Sequence, residues 1–140
     1  MKTIVIDTSV AVKWFSHEEA TESALLLRDA MLKGECRVTA PDLLLYELAN
    51  ALRHNPNFAE EDIKLAVRSV CDMSIEFAPA ENKLIEQAIE AAFHYKITVY
   101  DGCFLALAGL TGFPLLTADI KLIEKAGAFP NIINLSQFQP

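Results

Sequence analysis

Residues 3–15 read TIVIDTSVAVKWF. A β-branched run over 3–6 stops at Asp7-Thr8-Ser9, and a mostly apolar stretch follows over 10–15. This is the pattern of a buried strand that turns directly into a helix. Working outward, residues 18–33 carry a helical apolar face of Ala24, Leu25, Leu27, Ala30 and Met31 or Leu32, with Gly34 placed to end it. Residues 37–40 form a second short strand, and Pro41 suits the first turn of the next helix, where a missing N–H costs nothing.

Over 42–54 the apolar residues run almost all round, leaving Glu47, Asn50 and His54 as a narrow polar stripe before Asn55-Pro56-Asn57 breaks the helix. Further helices are expected over 60–71, 80–95, 104–110 and 120–126, and strands over 75–78, 97–100, 115–117 and 132–133. Short buried strands alternating with longer helices define an α/β fold, a three-layer α/β/α sandwich around a mainly parallel sheet.

A chain of 140 residues with 52% hydrophobic residues has room for one domain and the means to fill its core. No repeat, low-complexity tract or linker divides it, so residues 1–140 are expected to form a single domain. The 12 Lys+Arg and 19 Asp+Glu give a net charge of −7, which argues against a general electrostatic grip on nucleic acid. It leaves room for a nucleic-acid enzyme that recruits divalent cations to an acidic pocket. Cys36, Cys71 and Cys103, odd in number and set among apolar neighbours, read as reduced, buried thiols. Scattered His17, His54 and His94 give zinc no support. Asp7 interrupts the first apolar run before a secretory or membrane-spanning segment is complete, so a cytoplasmic protein with no membrane partner is expected.

The informative feature is positional. Asp7, Asp101 and Asp119 each follow an expected strand and precede an expected helix. In a parallel sheet all strand C-termini share one edge, where open α/β folds form their crevices. Glu47 joins them if its polar stripe faces that crevice. Each aspartate taken singly also reads as a helix cap. Taken together, two unit charges about 5 Å apart repel by roughly 3 kcal/mol at an effective dielectric near 20, so clustered carboxylates need protons or a cation. Mg²⁺ or Mn²⁺ prefers such oxygen donors, which makes metal-assisted phosphodiester hydrolysis the leading chemistry.

These residues lie in segments that resemble the PIN-domain ribonucleases, and among them the VapC-type toxins of prokaryotic toxin–antitoxin pairs. The segments are IVIDTSVAVKWF around Asp7, APDLLLYELANALR around Glu47, VYDGCFLALA around Asp101 and LLTAD around Asp119. The resemblance implies a five-stranded parallel sheet between helices, Mg²⁺- or Mn²⁺-dependent cleavage of RNA, and a small antitoxin protein that covers the site. It maps catalytic and metal-binding roles onto Asp7, Glu47, Asp101 and Asp119, and places Thr117 near the metal or its water. Gly102 stands where many relatives carry alanine.

Thr8 reads either as a hydroxyl aimed at the scissile phosphate or as a local cap, and Asn50 either as a partner of Glu47 or as a plain surface residue. Lys13, Arg28, Lys33, Arg37, Arg53, Lys121 and Lys125 are candidate phosphate contacts, though most suit solvated helix faces. Trp14 and Phe15 stack a base or belong to the core or a dimer surface. Apolar helices in so small a domain, together with the resemblance, point to a homodimer. The competing reading is a catalytically silent module whose acidic crevice receives a basic partner segment. A DxD-type phosphatase is disfavoured because the second acid is absent from Asp7-Thr8-Ser9, and a structure-specific DNA nuclease because the chain is short.

Overall fold

A computed structural model of the chain describes residues 1–17 and 19–140. Strand β1 (Lys2–Ile6) runs straight into helix α1 (Thr8–Val12), as its sequence pattern predicts. Then follow α2 (Thr21–Leu32), β2 (Cys36–Pro41), α3 (Leu43–Arg53), α4 (Glu60–Asp72), β3 (Glu76–Ala78) and α5 (Asn82–Tyr95). The chain continues through α6 (Val99–Thr111), β4 (Leu115–Thr117), α7 (Ile120–Lys125), β5 (Ile132–Asn134) and a 3-10 turn at Leu135–Gln137. Glu18, the expected start of the second helix, lies outside the described residues.

The five strands form one all-parallel sheet in the order β3-β2-β1-β4-β5. Parallel strands need crossovers, and here helices supply them and cover the sheet. The residues 4–6 of β1 and all of β4 are buried, so the middle of the sheet is its driest part. Helix α6, buried without interruption from Gly102 to Ala108, packs across β1, β2 and β4, and α5 packs against α6. A helix apolar on every side belongs in such a central position.

Three expectations need correction. The β-rich run at 97–100 is not a strand. Thr98 adopts extended backbone and its hydroxyl accepts the Asp101 N–H at 3.0 Å, which makes Thr98 the N-cap of α6. Thr98-Val99-Tyr100-Asp101 is thus a helix-start signal, with the acid three residues after the cap. It outweighs the β propensity of Ile97 and Val99, and Tyr100 is exposed rather than in a sheet. Pro41 is not the first helical residue but the last of β2, in register with Ala78. With no N–H to donate, Pro41 pairs with β3 alone, and the register of β2 with β1 ends at Thr39. Cys71 is exposed on α4, whereas Cys36 and Cys103 are buried.

Gly102 has a packing role that its sequence setting does not reveal. A Cβ at this position would lie 2.3 Å from the backbone oxygen of Ala88, so α5 and α6 touch where only glycine fits. Gly102→Ala is expected to cost about 1–3 kcal/mol through overpacking, outweighing the ~1 kcal/mol by which alanine is the better helix former. Urea denaturation checks this; equal or higher stability of the variant would contradict the close α5–α6 contact.

Candidate active site

Along the sheet the chain steps from β1 outward to β3, then returns to β4 on the other side of β1. The order therefore reverses between β1 and β4, and the crevice of a parallel α/β sheet opens beyond the C-termini at such a point. Asp7 leaves β1 there, and Asp119 follows β4. The Asp7 N–H donates to the Leu116 carbonyl at 3.3 Å, which holds the two strand ends together.

Both aspartates cap helices, and capping is what positions them. One Asp7 oxygen accepts the Ser9 N–H at 3.1 Å and the Ser9 hydroxyl at 2.5 Å, and the other accepts the Thr117 hydroxyl. Asp119 accepts the Leu122 N–H at 3.1 Å, and its own N–H donates to Thr117 Oγ1 at 3.0 Å. Thr117 thus joins the two carboxylate-bearing turns. It is fully buried, bonds Asp7 and does not line the open cleft.

Of the polar stripe on α3, Glu47, half-buried, and Asn50, exposed, line the cleft, while His54 is exposed away from it. Glu47 receives the Thr8 hydroxyl on Oε1 at 2.6 Å, so the hydrogen-bond partner of Glu47 is Thr8 and not Asn50. Asp101 sits in the first turn of α6 rather than after a strand, yet reaches the same place. Asp7, Glu47, Asp101 and Asp119 line one cleft of about 280 Å³, together with Thr8, Ser9, Asn50, Ala51 and Phe104.

Burial pushes the Asp7 carboxyl up to about 7; the Ser9 and Thr117 hydroxyls oppose the rise, and the charges of Asp119 and Asp101 add to it. Glu47 is raised by burial and by Asp101, against the Thr8 hydrogen bond. Asp101 is raised by burial and by Asp119, with Thr98 and the Lys125 ammonium pulling the other way. Among the described residues the salt bridges are Arg28 with Asp29 and Lys64 with Glu60 and Glu61, so no basic side chain pairs directly with the four acids. Their donor chemistry, all oxygen and without a direct basic partner among the described residues, fits a hard divalent cation. As arranged, no three His, Cys, Asp or Glu side chains among the described residues converge closely enough to hold an ion. Repulsion between unneutralised carboxylates works against such convergence.

Of the basic candidates, Lys125 acts on Asp101 through space, while Lys13 is buried and Lys33, Arg37, Arg53 and Lys121 are exposed. Trp14 is core: its indole N–H donates to the Ala24 carbonyl at 2.8 Å. Phe15 packs partly buried against that core. Sequence reasoning overlooked Ser9, whose hydroxyl also accepts the Ala118 N–H at 2.9 Å and so ties α1 to the turn after β4. A hydroxyl two residues after a capping aspartate was the available signal. No described helix is long and apolar enough to cross a membrane.

A five-stranded parallel sheet that collects four acids at its point of reversal defines a class of nuclease-like domains, and residues 4–128 match the PIN domain family. The chain belongs to this family. Ribonuclease VapC1 of Mycobacterium tuberculosis (strain CDC 1551 / Oshkosh) is 31% identical over 130 residues, covering 91% of this chain and 93% of the relative. The fold is shared with the crystal structure of M. tuberculosis VapC20, a sarcin-ricin loop cleaving toxin, at a TM-score of 0.71 and 15% identity over 92% of this chain and 98% of that one. A toxin–antitoxin complex from Klebsiella pneumoniae gives a TM-score of 0.68 at 13% identity, over 96% of this chain and 99% of its own.

The raised Asp7 makes the native, metal-free protein bind a proton more tightly than the unfolded chain. Its stabilising contribution is therefore full at low pH and is lost as pH rises from the ordinary value of 3.8 through about 7. A displacement of that size corresponds to roughly 4 kcal/mol. Asp7→Asn should accordingly gain stability relative to the parent between about pH 5 and about pH 8, by a few kcal/mol in metal-free buffer. Denaturant midpoints of the two proteins across that range test it, and a difference independent of pH would contradict it.

Proposed function

We propose that this protein is a divalent-metal-dependent endoribonuclease that hydrolyses RNA phosphodiester bonds as the toxin of a type II toxin–antitoxin module. The observation that carries the reading is the meeting, at one sheet edge, of four carboxylates from four separate elements, none of them in a direct salt bridge among the described residues. The kinship with VapC1 supports the choice of RNA, and the likeness to the Klebsiella toxin–antitoxin complex is in keeping with a small antitoxin partner.

Asp7, Glu47, Asp101 and Asp119 would hold the ion, Mg²⁺ or Mn²⁺. Such an ion, when bound, lowers the pKa of an attacking water and offsets charge on the phosphate and the leaving oxygen. The chain's own part is preorganisation. Ser9 and Thr117 fix both oxygens of Asp7, the Leu122 N–H fixes Asp119, and the Thr8 hydroxyl fixes Glu47 on the opposite wall. Thr117 is a positioning residue, since its hydroxyl bonds Asp7 while accepting the N–H of Asp119. Exposed Ile85, Ile89 and Phe93, spaced one helical turn apart on α5, form an apolar stripe that suits a second copy of the chain.

The silent-binding alternative draws on there being, among the described residues, no preformed convergence of three acids. Cleavage decides between the two. With Mn²⁺ present, Asp7→Asn and Asp101→Asn are each expected to lower the rate on single-stranded RNA by about 100-fold or more, since each removes a ligand charge at constant volume. Thr117→Val should cost about tenfold or more and Thr117→Ser recover most of it. Single-stranded DNA and a phosphomonoester should be poor substrates in the same assay. Unchanged cleavage by both aspartate variants, or no divalent-dependent cleavage by the parent, would overturn the proposal.

A further inference from the structure

A second hollow lies on the far side of the turn that carries Asp119. Asp119 lines the carboxylate cleft, while its neighbours Ala118 and Ile120 line a hollow of about 380 Å³ together with Lys13, Ser23, Asn134 and Ser136. One turn of chain is thus the wall between the two. Sheet register explains the adjacency: Thr117 of β4 and Asn134 of β5 are paired neighbours, so Asn134 ends β5 at the same edge where β1 and β4 deliver their acids. The crevice beyond the strand C-termini continues past Asp119 toward β5.

The lining differs in kind from the cleft beside it. Asn134 Oδ1 accepts both the N–H and the hydroxyl of Ser136 at 3.0 Å, which fixes the carboxamide and leaves its amide nitrogen to donate. Ser23 and Ser136 add hydroxyls that donate or accept, Lys13 adds a cation at the end of α1, and Ala118 and Ile120 add apolar wall. Glu19 on the same hollow adds an acceptor and disfavours a bare phosphate. The carboxamide and hydroxyls, set in apolar wall with one cation and one carboxylate at hand, match the edge and face of a nucleobase with its ribose. The volume falls within the range of about 300–1,000 Å³ typical of small-ligand pockets.

We propose that this hollow seats one nucleoside of the RNA strand, beside the phosphate held at the four carboxylates, and thereby sets a base preference at one side of the cut. The place of the strand rests on the nuclease reading. The capacity of the hollow to bind a nucleotide does not, and the two can be tested apart.

The test is an amide NMR titration of the full chain with each of the four ribonucleoside 5′-monophosphates, in EDTA so that no divalent cation takes part. At least one monophosphate is expected to shift the backbone amides of Ala118, Ile120 and Ser136 and the side-chain amide of Asn134. Ser23→Leu, which fills the hollow from α2, should weaken that binding by about tenfold or more, and Asn134→Ala should reduce discrimination among the bases by a similar factor. Shifts confined to other surfaces, or binding and discrimination unchanged in both folded variants, would overturn the proposal. Nucleotide binding in the hollow by a protein that does not cleave RNA would remove the nuclease reading and keep the subsite. Cleavage of RNA with no nucleotide in the hollow would do the reverse.

Discussion

Placing a carboxylate at the dry junction of two central strands, with no cation beside it, is the constraint on which the site depends. Asp7 is 6% exposed, receives hydrogen bonds from Ser9 and Thr117, and still has its carboxyl pushed up to about 7, because burial and two neighbouring acids outweigh those bonds. Left ionised in this state, it destabilises the fold on the order of a few kcal/mol, a sizeable part of the 5–15 kcal/mol that holds a typical domain together. A well-packed core has to bear that cost, and the uninterrupted burial of α6 over β1, β2 and β4 supplies such packing.

The same arrangement makes structural and functional roles one. Asp7 and Asp119 are helix caps whose hydrogen bonds to Ser9 and Leu122 hold the carboxylates in place at the cleft. Capping and ligation are often treated as rival explanations of an aspartate, but Asp119 uses one oxygen for its helix, and Asp7, whose second oxygen takes only the Thr117 hydroxyl, keeps lone-pair capacity there for a cation. In the proposed nuclease, a divalent ion would offset the cost of gathering like charges.

Most of this was legible in the sequence, for identifiable reasons. The strand-to-helix switch at Asp7 and the acid after Leu115-Leu116-Thr117 follow from hydrophobic run length, whereas the polar stripe on α3 leaves open whether Glu47 meets the crevice or water, and only the fold brings Glu47 to the cleft. At residues 97–100 the β-branched composition points to a strand, while the cap formed by Thr98 and the Asp101 N–H starts a helix. Ser9, the burial of Thr117 and the glycine-only contact at Gly102 depend on which residues meet across the fold, as Thr117 meets Asp7 from 110 positions away. Local pattern carries no information of that kind. The exposure of Cys71 was missed because its apolar neighbours lie beside it in sequence and not around it on α4.

Calorimetric titration of Mn²⁺ into the metal-free protein near pH 6.5, repeated in buffers of different ionisation enthalpy, probes the buried acid most directly. Saturable binding with release of roughly half a proton or more is expected, because Asp7 is largely protonated there and must ionise to take the ion. Asp7→Asn should abolish both the affinity and the proton release. Absence of binding by the parent protein, or binding without a proton that Asp7→Asn leaves untouched, would contradict the central role given to this carboxylate.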